Sequence, residues 1–324
     1  MLDKAIVGAP SQAVMSQIPA VSRLCLGIGL SAAQAGAGRK SLRQGAPGVI
    51  VARQGGSGMN IARFRGEGRV RYGVVDGDSV TDIRGTPFRG EVRMGSLRRR
   101  LSEVALLPVT SPVQVFGGVG VNYRDHLAQA QETSDVPFSN VGIQPFPKSN
   151  ASLTGSGSPI VLTPEVDAVH YEGELVVVIG RRARQVSRER ALDYVLGYTC
   201  GNDVTEKGIW EKDYSEWRSK GLPTWGPVGP WIATHVEPGN LDVIVRLNGR
   251  VEHRFNTGDM IHDVPSIVSY ISQYTTLFPG DLIFTGTSGS TKAMKPGDVV
   301  GVEISGIGIL MNPVTMEPVS IEKM

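Results

Sequence analysis

Glu172 and Glu174 lie two positions apart in HYEGELVVVIG, His170–Gly180, and Asp203 follows in YTCGNDVT. Three carboxylates with no cysteine and no close histidine pair form a set of hard oxygen donors. Such a set suits Mg²⁺, Mn²⁺ or Ca²⁺ and argues against a structural zinc. Two further residues have chemistry to offer. His126, in VNYRDHLAQA, is either a general base or a loop-packing imidazole. Lys220, in RSKGLPTWGPVGPW, is either solvated or, beside a metal, a cation that stabilises an enolate or binds a carboxylate. Thr285–Ser290, TGTSGS, offers hydroxyls and backbone N–H groups, either as a carboxylate cradle or as a plain glycine turn. It is no P-loop, since no GK[ST] follows, and GVGVNY lacks the spacing of a dinucleotide fingerprint. The chain has no GxSxG, HExxH or CxxC pattern. Trp210, Trp217, Trp225 and Trp231 fall within 22 positions and are read as core or interface residues.

The element that must carry the glutamates reads as one β-strand, His170–Gly180: alternation, then a β-branched run, closed by glycine. With period two, both glutamates project from one face, which Val176 and Val178 continue, while Leu175, Val177 and Ile179 line the other. A face that changes from acid to apolar fits a strand leaving solvent, or a strand whose mouth end holds a cation. Asp203 favours the cation.

Around this strand the pattern is of short strands and turns. Ile61–Arg65, Val70–Val75 and Ser79–Ile83 are expected strands, with Asp76-Gly77 as a hairpin turn. Arg84–Pro108 is read as helix and linker. A strand after Pro112 ends in glycines. Asn122–Gln131 is read as a loop entering a short helix, and the long stretch Thr133–Lys148 as a functional loop of the lid type. Ser187 is expected to cap a helix over Arg188–Leu196, with Ala191, Leu192, Val195 and Leu196 inward. Leu241–Leu247 and Arg250–Phe255 flank the hairpin signal Asn248-Gly249. Asp263 is expected to cap a second helix with Ile267, Val268, Ile271 and Tyr274 buried. Strands follow at Leu282–Thr285, Asp298–Ile304 and Ile307–Asn312. There are too few βαβ alternations for a doubly wound sheet, so a mostly β, rolled mixed or antiparallel sheet is expected.

With 324 residues the chain has room for a large and a small domain, and 40% apolar content is ordinary for a globular protein. A net charge of +2 implies no nucleic-acid or membrane field, and no apolar run is long enough to span a bilayer. Cys25 and Cys200 are far apart and suggest no disulfide framework, so a reducing cytoplasm is the default. Residues 1–58 stand apart, with one acid, Asp3, against six bases. They are read as a disordered extension or as sequence upstream of a start at Met59; an acid-poor leader with Arg and Ser also suits a transit peptide. The remainder divides into a small N-terminal β domain, 59–110, and a main domain, 111–324.

In order along the chain, VNYRDH, PFPKSNASLTGSGSPIVL, YEGELVVVIG, GNDVT, KGLPTWGPVGPWI, PGDLIFTGT and KPGDVVGVEISGIGILMNPV resemble the fumarylacetoacetate hydrolase superfamily in its short bacterial form. The resemblance runs from about Met59 to Val314. It implies a mixed β-roll, usually a homodimer, with Mg²⁺ or Mn²⁺ at the mouth of the roll. Glu172, Glu174 and Asp203 match the metal ligands, Lys220 the active-site lysine and His126 the lid histidine that activates water. Tyr123, Lys148 and Thr287 match substrate-pocket positions. The activity implied is hydrolytic C–C cleavage of a small 2,4-dioxo acid, with the resulting enolate held by the metal and Lys220, as in the catabolism of aromatic compounds. A lyase or isomerase acting on the same enolate is the first alternative, and a non-catalytic binding protein the second. The chain also departs from the pattern. Gln129 stands where many members carry the glutamate of the lid dyad, and Lys207 and Trp210 replace Arg and Gln. His170 and Pro223 replace two aspartates. The metal set is complete while the substrate shell is altered, and lysine does not reproduce an arginine clamp.

Overall fold

The structure, a computed structural model, describes residues 58–117, 119–125, 142–210 and 212–318. All of them lie within a single unit, Ala46–Met324. The N-terminal extension up to residue 57 and the stretch 126–141, with His126 and Gln129, lie outside the described residues.

The strand Gly173–Ile179 is the centre of the fold. It pairs antiparallel with Val195–Asn202 on one side and with Leu282–Phe284 on the other. All seven of its residues are buried. Leu175, Val177 and Ile179 join a core with Ile267, Val268 and Val302. Val176 and Val178 join a second core with Ile61, Val228 and Phe284. The two faces expected from the alternation are therefore real, and both are covered.

That strand is shorter than expected. Val169–His170 forms its own two-residue ribbon with Thr205–Glu206, and Tyr171 and Glu172 lie in the gap. The backbone N–H of Glu172 donates to the Asn202 side chain at 2.9 Å, and Asp203 N donates to the Glu172 carbonyl at 2.8 Å. A side chain from the neighbouring strand end thus replaces a ladder bond, which no period in the sequence reveals.

Among the described residues the main sheet has twelve strands and is mixed. It runs from Met94–Arg100 through Ser79–Ile83, Arg69–Asp76 and Asn60–Gly66 to Gly226–Ala233, then across the central strands to Val115–Gly117 and Phe146–Lys148. Asn60–Gly66 joins it through Asn60 and Ile61, opposite Ala233 and Ile232. Met94–Arg100 is a correction, since Arg84–Pro108 was expected as helix and linker. It is an edge strand on Ser79–Ile83 in which Arg98 and Arg100 are exposed and Arg99 pairs with Glu67, and an edge strand with little to bury leaves no apolar alternation to read.

A second sheet of five strands contains Arg250–Asn256, Asp242–Leu247, Val299–Ile304, Gly308–Met316 and Ile160–Leu162. It packs directly on Gly173, where a Cβ would lie 2.6 Å from Val245 Cγ2. The helix Val264–Tyr274 starts as expected, with Asp263 accepting from Ser266 N, and buries Ile267, Val268 and Ile271. Tyr274 is exposed instead of completing the stripe. Arg188–Tyr194 is a 3₁₀ turn, not an α-helix, because Val195 and Leu196 already belong to the next strand. No helix among the described residues is long and apolar enough to cross a membrane.

Candidate metal centre and active site

At the break after His170 the three acids converge. Each of Glu172, Glu174 and Asp203 offers a carboxylate oxygen within 4.8 Å of the others, and all three residues are buried. Glu172 comes from the gap, Glu174 from the central strand, and Asp203 from the residue after the paired strand. A buried cluster of like charges is unfavourable without a counter-charge. Glu174 registers this: burial, then the charges of Asp203 and Glu172, push its carboxyl well above the usual range, against Lys220 and a 2.6 Å hydrogen bond from Gly286 N. The donor set fits a divalent cation of the Mg²⁺ or Mn²⁺ kind, which would relieve that repulsion through oxygen ligands alone. Cation binding is therefore expected to strengthen as pH rises, because the ion needs the Glu174 carboxylate and competes with its proton. Calorimetric titration at two pH values reads that change, and an affinity that does not rise with pH would contradict it.

Lysines surround the acids. Lys220 Nζ lies 2.8 Å from Glu172 Oε2 and 2.7 Å from Asp203 Oδ2. Burial lowers its pKa, but the carboxylates of Asp203 and Glu172 outweigh burial and hold the ammonium well above its usual range. Its short helix, Trp217–Lys220, is tethered by Asp213, which accepts from Arg218 N, Ser219 N and Ser219 Oγ. Lys148 Nζ lies 2.8 Å from Asp203 Oδ1 and donates to the Lys220 carbonyl. Full burial lowers its pKa, opposed by Asp203. Lys207 Nζ lies 2.5 Å from Glu172 Oε1. Reading Lys207 only as a lost arginine missed that contact, and nothing in the sequence signals it.

Thr287 is buried in the loop after Leu282–Phe284. That loop does cradle a carboxylate, but one belonging to the protein: Gly286 N holds Glu174, and at φ +97° a Cβ there would press on Asn122. Asn122, missed by sequence reasoning, fastens the loop by donating to the Thr285 carbonyl at 2.7 Å and accepting from His262 N at 2.8 Å. Tyr123, next to it, is buried, and the charge of Glu174 adds to burial in raising its pKa. The structure therefore brings together Glu172, Glu174, Asp203, Lys148 and Lys220, with Tyr123 and the Thr287 loop alongside. Trp225 is a core residue, and Trp217 is exposed.

Comparison with known proteins agrees with this architecture. Residues 116–315 match the family model of the fumarylacetoacetate (FAA) hydrolase C-terminal domain, and residues 59–108 match an Rv2993c-like N-terminal model. A maleylpyruvate hydrolase of Aquipseudomonas alcaligenes is 33% identical, over 74% of this chain and 94% of its own. The oxaloacetate tautomerase YisK of Bacillus subtilis is 35% identical, over 68% of this chain and 76% of its own. The crystal structure of maleylpyruvate hydrolase from Sphingobium sp. SYK-6, in complex with manganese (II) ion and pyruvate, superposes with a TM-score of 0.66 at 27% identity. It covers 80% of this chain and 100% of that one.

Proposed function

The chain belongs to the fumarylacetoacetate hydrolase family and is an enzyme of that family, and from that premise we propose that it is a divalent-metal-dependent hydrolase cleaving a C–C bond of a small 2,4-dioxo acid. The observation that carries this reading is the buried triad of Glu172, Glu174 and Asp203 with two buried lysines on it. Those three residues would hold Mg²⁺ or Mn²⁺, which when bound supplies Lewis-acid polarisation of the 2-oxo acid oxygens. Lys220 carries a permanent positive charge and stabilises the negative charge that develops on the 2-oxo oxygen as the C–C bond breaks. Lys148 binds the substrate carboxylate, and Thr287 lines the pocket. His126 takes a proton from water at a ring nitrogen while that water attacks the 4-carbonyl carbon. The C3–C4 bond breaks, its electron pair stays on C3, and C3 takes up the proton, giving pyruvate and a carboxylic acid. A Mn²⁺- and pyruvate-bound relative that is named a maleylpyruvate hydrolase supports this reading.

A second reading, a lyase, isomerase or tautomerase that needs no attacking water, is favoured by one observation: Gln129 replaces the glutamate that would orient and charge-stabilise His126. Turnover of an acylpyruvate and of oxaloacetate by His126→Ala decides between the two. The hydrolase reading expects acylpyruvate cleavage to fall on the order of 10²–10⁴-fold, the usual contribution of a positioned general base. It also expects Gln129→Glu to raise the rate or shift its pH profile. Cleavage at the wild-type rate by His126→Ala would overturn it in favour of the second reading.

A further inference from the structure

In the hairpin of Asp242–Leu247 and Arg250–Asn256, His253 lies opposite Val245. Directly opposed residues of an antiparallel pair project from the same face. Val245 is the side chain that meets Gly173, the residue between the two glutamates of the metal centre. His253 therefore stands on the sheet face that packs on the central strand, on the side opposite the Glu174 side chain and one strand farther out. Phe255, two residues on, shares that face. The His253 ring stacks on Phe255 with centroids 5.4 Å apart, and Phe255 meets the Tyr123 ring edge-on at 5.0 Å. The three rings form a row. Its inner end, Tyr123, feels the charge of Glu174. Its outer end rests on the Thr285–Ser290 loop, where the His253 ring occupies the space that a Cβ on Gly289 would take.

Each end of the row carries a buried polar atom with no hydrogen-bond partner among the described residues, Tyr123 Oη and His253 Nε2. Buried polar atoms are normally paired, and an unpaired one calls for a reason. Stacking accounts for a ring at position 253 but not for a nitrogen in it, since phenylalanine would stack equally well. Burial depresses the His253 pKa while the Asp125 carboxylate opposes this, so a largely neutral imidazole is available as a hydrogen-bonding group.

We propose that this row lines a distal subsite in which His253, at the outer end, hydrogen-bonds an oxygen at the end of the substrate remote from its 2-oxo acid group and sets the preference for substrates that carry such an oxygen, while Tyr123 borders the subsite at the end nearer the metal centre. The proposal rests on the 2,4-dioxo acid reading and deepens it. His253 acts as a specificity-determining residue and takes no part in bond breaking.

Three acids of equal chain length test it: 2,4-dioxoheptanedioate, its 7-monoamide, and 2,4-dioxoheptanoate, which lacks the distal oxygen. The readout is the ratio of kcat/KM for each of the first two acids to that for the third, with Mn²⁺ present. The wild type is expected to favour at least one oxygen-bearing acid by roughly tenfold, the worth of one good hydrogen bond. His253→Phe, which keeps the stacked row, should bring that ratio close to one, and His253→Gln should restore part of it. Loss for the diacid alone identifies a carboxylate as the occupant, and loss for both identifies a carbonyl oxygen. A His253→Phe enzyme that keeps the wild-type ratio, even with all three rates reduced together, overturns the proposal, as does a wild type with no preference. If the wild type turns over none of the three acids, the hydrolase reading has failed separately. The same ratios, read as dissociation constants by calorimetry with Mn²⁺, then decide the subsite, and an unchanged ratio in His253→Phe again overturns it.

Discussion

Glu174→Gln is expected to abolish both turnover and metal-dependent thermal stabilisation while leaving the fold intact. Glu174 is 1% exposed and lies in the central strand, so the substitution must fit a packed site. Glutamine has the same shape, and its amide oxygen can still accept the Gly286 N–H. What is lost is a negative charge held where burial and the neighbouring acids already oppose ionisation. The metal-free variant should therefore be no less stable than the metal-free wild type. A carboxyl whose native pKa is raised is unpenalised below its ordinary value and costs stability as pH climbs above that value toward the native one. Metal-free wild type should accordingly lose stability as the pH rises out of the acid range, and Glu174→Gln should not show that component. At an ion concentration 100-fold above its dissociation constant, the wild type should gain about 2.7 kcal/mol, and the variant nothing comparable. Thermal melts with Mn²⁺ and with chelator measure both effects. Wild-type turnover by the variant in chelator would remove the metal from the mechanism.

Lys220→Met is expected to separate metal binding from catalysis. Methionine keeps much of the buried stem and removes the ammonium that bridges Glu172 and Asp203. Breaking a buried ion pair ordinarily costs ~3–5 kcal/mol, because a charge is left uncompensated. Here the loss is softened, since Lys207 still pairs with Glu172 and Lys148 with Asp203. A divalent cation no longer competes with the Lys220 ammonium for the same oxygens, so its affinity should hold or rise. The rate should still fall on the order of 10²–10³-fold, the effect of removing a preorganised charge stabiliser. Calorimetric metal affinity and kcat, measured on one preparation, test the separation. A fall in rate that tracks a fall in metal affinity would make Lys220 a structural member of the cluster only.

The acid triad could be read from sequence because its parts are local. Two glutamates at i and i+2 stay close even where, as here, one lies just before the strand and the other in it, and a third acid after the next strand returns to the same end. The two apolar faces of Gly173–Ile179, the Asp263 cap and the Asn248-Gly249 hairpin were legible for the same reason: each depends on neighbours within a few residues. What lies between distant segments was not legible. Lys207 reaches Glu172, Asn122 fastens the Thr285 loop and Asp213 tethers the helix of Lys220, all through single side chains whose types suit many other roles. The break at Tyr171 and Glu172 came from Asn202 taking over one ladder bond. The strand at Met94–Arg100 came from edge pairing that leaves Arg98 and Arg100 exposed. The row of Tyr123, Phe255 and His253 joins residues about 130 positions apart, which only the packing of the five-stranded sheet on Gly173 brings together. The sequence by itself determined which residues could hold a cation and the strand at whose start two of them lie, because period and residue type act over a few positions. The tertiary structure decided which cations neutralise those acids and which rings border them, because burial and charge pairing are properties of space and not of spacing.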